Sequence, residues 1–345
     1  MTLIHGGQLQ QVAEQFNTPI RDWLDLSTGI APLSYSIPYI PLNVWQQLPQ
    51  KNDALDETAK DYYQCNSLLV TNGSQAIIKA LPALWRKKNN NSIHVYLPKY
   101  GYTEHAYAWK NSHYQLHYYV DELPLLNTIQ PNSVLVIINP NNPTGKLFNR
   151  EVIGQYQQTI ELLNGLLVID EAFIDVAPEN HSMCSYVNNS HTLVFRSFGK
   201  FFGLAGIRIG FLIADNDWCA VFHEYLGPWQ VNGPAQFIAQ QALRDTSWQQ
   251  LQKQQLKILR HKQEKILWQV FGHEIINAIS GCDLFLTLSF HNDNYAEKLY
   301  TLLCEKAVYV RLTDEKDKLR FGIAKESDLK RLLTTCEQVI QEISL

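Results

Sequence analysis

The chain has 345 residues, enough for about two domains at roughly 150 residues each. Apolar residues make up 46% and charged residues 18%, which excludes a disordered, collagen-like or coiled-coil chain. The 29 Lys and Arg against 33 Asp and Glu leave a net charge of −4, and no basic run breaks the balance, so no nucleic-acid or membrane partner is expected.

Six cysteines (Cys65, Cys184, Cys219, Cys282, Cys304 and Cys336) form no CxxC pair and no zinc-type cluster. They read as reduced, partly buried small hydrophobes, and no metal site is expected. The first residues lack the basic start and apolar stretch of a signal peptide. Apolar runs such as 134–138 fall far below the ~18 residues of a membrane span. A cytoplasmic location is the expectation.

Residues 1–45 are rich in Pro, Ser and Gly and read as an arm packing with a small C-terminal domain. Residues 46–64 read as a helix. From Ser67 short apolar runs alternate with helical stretches. Strands are expected at 68–71, 93–97, 134–139, 166–170 and 193–196, and helices at 74–86, 104–111 and 150–163. Several strands lack polar alternation, as strands buried on both faces of a mostly parallel sheet do. The segment 46–230 is therefore an α/β domain with a mostly parallel central sheet. Beyond it, 231–345 reads as a smaller α+β domain. Its elements are one or two long helices at 235–271, a strand at 284–290, a helix at 294–306, strands at 308–312 and 318–323, and a helix at 326–343. The boundary is expected near Gly227-Pro228 or Gly233-Pro234.

In an open α/β sheet, ligands bind beyond the carboxyl ends of the strands. After the first strand comes Thr71-Asn72-Gly73-Ser74-Gln75, either an ordinary turn with a Ser N-cap or the start of an anion site at a helix N-terminus. After the second comes Lys99-Tyr100-Gly101-Tyr102, whose rings could stack on a planar ligand or simply pack at the surface. The Pro-rich loop 139–145 presents Asn142. Asp170 and Glu171 end a buried strand, where an acid needs a cation: a metal, an Arg or a protonated ring nitrogen. Lys200 lies among aromatics and glycines in 195–210, and a desolvated lysine becomes a nucleophile suited to Schiff-base chemistry. Ser197, Arg208 and the helix start at Ser74 could share one phosphate. A lysine, an acid, an aromatic plate and a phosphate nest on one sheet edge describe a pyridoxal phosphate pocket.

At these residues the chain resembles the fold-type I pyridoxal phosphate enzymes. The segments NPNNPTG, DEAF and SFGKFFGLAGIRIGF are similar to the histidinol-phosphate aminotransferase branch. Within it, the opening segments Ile4-His5-Gly6-Gly7 and 23–30, RSFGKFFGLAG, and 226–235 resemble the threonine-phosphate decarboxylases of cobalamin biosynthesis. The resemblance implies that Lys200 carries the cofactor and Asp170 pairs with its ring nitrogen. Asn142 would bond the ring hydroxyl, and Tyr102 would stack, with Tyr100 as the alternative. Gly73, Ser74, Gln75, Ser197 and Arg208 would hold the phosphate end. Arg320 would bind the substrate carboxylate, with His5, Gly29 and Arg311 on the substrate side. It implies decarboxylation of a phosphorylated amino acid, L-threonine O-3-phosphate, by a homodimer. A histidinol-phosphate or aromatic aminotransferase is the alternative enzyme, and a noncatalytic pyridoxal phosphate-binding or cobalamin-assembly protein is the alternative from another class. Phe173, Gly199, Trp45 and Ala31 depart from the aminotransferase pattern.

Overall fold

The computed structural model describes residues 6–187, 189–292 and 294–343 and divides them into two compact units. One holds residues 35–142 and 146–248; the other holds the described residues up to 34, residues 143–145, and those from 249 onward.

The chain opens with a short helix, α1 (Leu9–Gln15), and a two-residue strand, β1 (Leu24–Asp25). The larger unit then begins with α2 (Leu42–Gln46) and α3 (Asp53–Tyr63). These replace the single helix expected at 46–64. The chain around Pro49 leaves helical geometry, and the Asn52 side chain starts α3 afresh by accepting from Leu55 N.

Next come β2 (Leu68–Thr71), α4 (Ser74–Lys88), β3 (His94–Pro98), α5 (Thr103–Asn111) and β4 (Gln115–Tyr119). They are followed by β5 (Val134–Ile138), α6 (Arg150–Leu162), β6 (Leu166–Asp170), β7 (Thr192–Ser197), the single turn α7 (Phe198–Phe201) and β8 (Gly210–Ile213). The strands form one seven-stranded sheet in the order β2-β8-β7-β6-β5-β3-β4. Only β8 runs against its neighbours. Every residue of β5 and β6 is buried, which is why their sequences show no alternation. The parallel strands deliver Pro98, Asn139, Asp170 and Ser197 to the same edge.

The unit closes with α8 (Asn216–Leu226) and α9 (Gly233–Arg244). The division therefore falls after Trp248 and not at 230. Helix α9 buries Ala235, Ile238, Ala239 and Ala242 within this unit. Its Arg244 Nε donates to Thr58 Oγ1 on α3 at 3.0 Å. Residues 35–45 also belong here and not to the arm: Tyr35 N donates to Phe202 O at 2.9 Å, and its ring meets Trp248 edge-on at 5.2 Å.

The smaller unit takes α10 (Thr246–Ile275) from Gln249 onward, kinked at Gly272, with β9 (Ile276–Cys282), β10 (Phe285–Phe290) and α11 (Asn294–Glu305). Then follow β11 (Val308–Tyr309), β12 (Arg311–Leu312), β13 (Lys318–Gly322) and α12 (Leu329–Ile343). The run expected as one strand at 308–312 is two, because its halves serve different partners. Strand β11 pairs in parallel with β1, whereas β12 joins the antiparallel sheet β12-β13-β10-β9. One core of Leu24, Leu267, Leu286, Leu303, Leu332 and Val339 unites arm, sheet and helices.

Two measurements check this packing. Leu286 is fully buried, and Leu286→Ala is expected to cost about 2–5 kcal/mol in urea denaturation. Leu251→Ala, at a residue 53% exposed, is expected to stay within about 0.5 kcal/mol. On the outer strands, His94 Nδ1 and His117 Nε2 share a hydrogen bond of 2.9 Å. Partial burial, and then the charge of His94, lower the His117 pKa. The folded state then binds fewer protons than the unfolded one, so stability falls as pH drops below about 6.5. His117→Gln is expected to lose less urea resistance than the parent between pH 7.5 and 5.5.

Candidate active site

The strand ends of the larger unit surround an open cavity of about 130 Å³. Gly73, Ser74, Gln75, Tyr102, Asn142, Asp170, Ser197, Lys200 and Arg208 all line it. Tyr100 is not among its lining residues; its ring lies 5.2 Å from the Lys99 ammonium, and its carbonyl accepts from Asn141 Nδ2.

At one end lies an anion cradle. Gly73 has φ +99°, a conformation that L side chains rarely adopt, and it turns the chain from β2 into α4. A Cβ there would stand 3.1 Å from Arg208 Nη2, so the missing side chain lets the guanidinium approach. Arg208 itself sits in the left-handed region at φ 56°, a strain that the surrounding structure must hold. Gly210 closes the arrangement from below. A Cβ on it would lie 2.8 Å from Arg196 O and 3.0 Å from both Gly73 Cα and Ser74 N. The donor set at this end is a guanidinium, the hydroxyls of Ser74 and Ser197, and the N-terminus of α4, the chemistry that binds phosphate.

At the other end lies Asp170, 3% exposed. One carboxylate oxygen faces His105 Nε2 at 2.8 Å, and the other accepts from Ala172 N at 3.0 Å. The His105 ring lies parallel to Phe195, with centroids 6.2 Å apart. Tyr102, three residues earlier, meets it edge-on and donates its hydroxyl to Gln75 Oε1 at 3.0 Å.

Lys200 projects from α7 into the cavity, its Nζ 5.6 Å from the Phe173 ring centroid. The aromatic setting is a built one: Phe198, Phe201 and Phe202 are buried, and Phe198 stacks on Phe202 with centroids 4.2 Å apart. Two departures find a place here. Phe173 supplies a wall, and Gly199 admits the following turn, since a Cβ would lie 2.6 Å from Ala205 Cα.

Sequence reasoning missed His105, whose partner lies 65 residues away. The available signal was its spacing: Tyr102 and His105 are three apart at the start of a helix and share a face. It also missed Ile138, Ala172, Ala205 and Ile209, which line the cavity.

Of the substrate-side candidates, His5 lies outside the described residues. Gly29, Arg311 and Arg320 fall in the smaller unit. Arg320 is 8% exposed and donates to Ser27 O at 2.7 Å. It faces Arg311 directly across β12 and β13, and Arg311 donates to Asp314 Oδ1 at 2.5 Å. Burial, and then the charge of Arg311, push the Arg320 pKa down to about 10. Ala31 is buried at 3%, and Trp45 is 61% exposed. Among the described residues no group of three or more His, Cys, Asp or Glu could hold a metal ion.

The family profile described as aminotransferase class I and II matches residues 46–335. A threonine-phosphate decarboxylase from Pseudomonas aeruginosa is 36% identical over 325 residues, 93% of each chain. A histidinol-phosphate aminotransferase from Buchnera aphidicola is 24% identical over 292 residues, covering 80% of this chain and 79% of the relative. The crystal structure of the histidinol-phosphate aminotransferase from Sinorhizobium meliloti in complex with pyridoxal-5'-phosphate has a TM-score of 0.82 at 17% identity, over 99% of this chain and 96% of that one. With a seven-stranded sheet that gathers a lysine, a buried acid and an anion cradle, this chain belongs to the aminotransferase class I and II family.

Proposed function

We propose that this chain is a pyridoxal phosphate-dependent decarboxylase that converts L-threonine O-3-phosphate to (R)-1-amino-2-propanol O-2-phosphate in cobalamin biosynthesis. What carries the reading is the convergence of nine expected residues on one cavity, joined to 36% identity with a threonine-phosphate decarboxylase over 93% of the chain. The residues suit the cofactor: the cradle around Gly73 matches a phosphate, Asp170 a protonated ring nitrogen, and Lys200 an aldehyde.

When bound, pyridoxal phosphate supplies an electron sink for the pair left at Cα when a bond there breaks. The chain's residues do the rest. Lys200 would provide the amine that holds the cofactor through its aldehyde. Asp170, oriented by His105 and Ala172 N, keeps a proton on the facing nitrogen. Tyr102 would stack on the ring, and Asn142 would bond its hydroxyl. Ser74, Ser197 and Arg208 hold the phosphate, with Gly73 and Gln75 shaping that end. Arg320 would bind the substrate carboxylate and so favour the bond from Cα to the carboxyl carbon as the one that breaks. Arg311, Gly29 and His5 complete the substrate side. An aminotransferase would favour breaking the Cα–H bond instead.

The reaction is placed in the cytoplasm, where the six free cysteines stay reduced. The working form is a homodimer. Its support is the exposed apolar surface of residues 37–48 in the larger unit, where Tyr39 is 86%, Leu42 64% and Trp45 61% accessible.

Cofactor-loaded protein mixed with L-threonine O-3-phosphate is expected to release carbon dioxide and an amine phosphate without keto acid, and Lys200→Ala is expected to abolish both. Keto acid that depends on an added 2-oxo acid, without carbon dioxide, would instead assign an aminotransferase. Gly210→Ala forces a methyl against the phosphate cradle and is expected to weaken pyridoxal phosphate binding by about tenfold or more in a fluorescence titration. Gly154→Ala meets nothing within 4 Å and should bind as the parent does.

A further inference from the structure

On the face of the sheet opposite the cavity lies a second set of buried charges that the proposed reaction does not use. Successive side chains along a strand point to opposite faces. Asp170 and Ser197 line the cavity, while their neighbours Glu171 and Arg196 meet each other beneath it, Nη1 to Oε2 at 3.1 Å. Glu171 is fully buried and also accepts from Ser182 Oγ and Met183 N, each at 2.6 Å. The other terminal nitrogen of Arg196 donates to Asp175, which accepts from Tyr62 OH at 2.9 Å. The Tyr63 ring lies 4.6 Å from the guanidinium carbon. Burial works against the charge on Arg196, but Asp175 foremost outweighs it and holds the guanidinium charged.

Such a cluster is a poor device for stability alone. Desolvating buried ions offsets most of their attraction, and apolar side chains of similar volume commonly do as well or better. Directed charge pairs do specify geometry. Here they join the end of β6 to the end of β7, one residue from Asp170 on one side and one residue from Ser197 on the other. Lys200 follows three residues later on the same turn.

We infer that Arg196, Glu171 and Asp175 are positioning residues for the cofactor: they set the distance of Asp170 from Ser197 and Lys200. The inference rests on the pyridoxal phosphate reading above. A cofactor gripped at both ends by groups on neighbouring strands is sensitive to displacements of about 1 Å. The cluster prevents that displacement from the far side of the sheet, without touching the cofactor.

The test uses the full chain, stripped of cofactor, as parent, Glu171→Gln, Arg196→Lys and Tyr62→Phe. Three readouts are taken: the melting temperature without cofactor, the Kd for pyridoxal phosphate, and the pH midpoint of the absorption band of the Lys200-bound cofactor. Glu171→Gln and Arg196→Lys are expected to raise Kd about tenfold, as outer-shell partners do at metal sites, and to move the pH midpoint. Tyr62→Phe removes one hydroxyl from Asp175 and leaves the charges, so a rise of about threefold is expected with the fold intact. Folded variants with parental Kd and pH midpoint would overturn the inference, whatever their melting temperature. Should both charge variants fail to fold, Tyr62→Phe decides by the same two readouts. A parent chain that shows no band beyond that of Lys200→Ala would overturn the cofactor reading, and this inference with it.

Discussion

A carboxylate at the end of a buried strand must find compensation, and the way Asp170 finds it organises the larger unit. Its two oxygens are taken by His105 from α5 and by the backbone of Ala172. His105 lies along Phe195 of β7, so helix, β6 and β7 converge on one acid. Desolvation makes an unpaired charge there costly, and the same desolvation gives a paired one its strength. The remaining parts of the site follow from this placement. Lys200 lies one turn beyond β7, Tyr102 stands one helical turn before His105, and the anion cradle lies where β2 passes into α4.

Much of this was legible because the chemistry sits in short segments. The cavity residues fall just after strands whose apolar runs mark them plainly, and the rule that ligands gather at strand ends needs no tertiary contact. What escaped was of two kinds. Strand β4 is an edge strand with Tyr118 half exposed, and β8 continues directly from the glycine-bearing run 199–210, so neither stands out as a strand. The His105 to Asp170 and Glu171 to Arg196 contacts join residues distant in the chain, and no local period reports them. The boundary at 230 failed for a related reason. Gly and Pro mark turns well, but α9 belongs to the larger unit through its buried alanines, a fact of packing and not of punctuation.

The two units show different uses of arginine. In the larger one, Arg196 is surrounded by carboxylates and serves geometry. In the smaller one, Arg320 faces a second arginine, and both burial and that neighbour lower its pKa. Arg311 is in turn paired with Asp314, so a carboxylate already accompanies the two guanidiniums.

Gly210 has a consequence of another sort. With its Cα face pressed against Gly73, Ser74 and the Arg196 carbonyl, it bolts the anion cradle to the sheet. The cradle loses its conformational freedom when the chain folds, so little remains to be lost when a phosphate arrives. Retention and reactivity are thereby separated. On the cofactor reading proposed above, the phosphate end would act as a fixed mooring that keeps the cofactor in place whatever happens at Lys200.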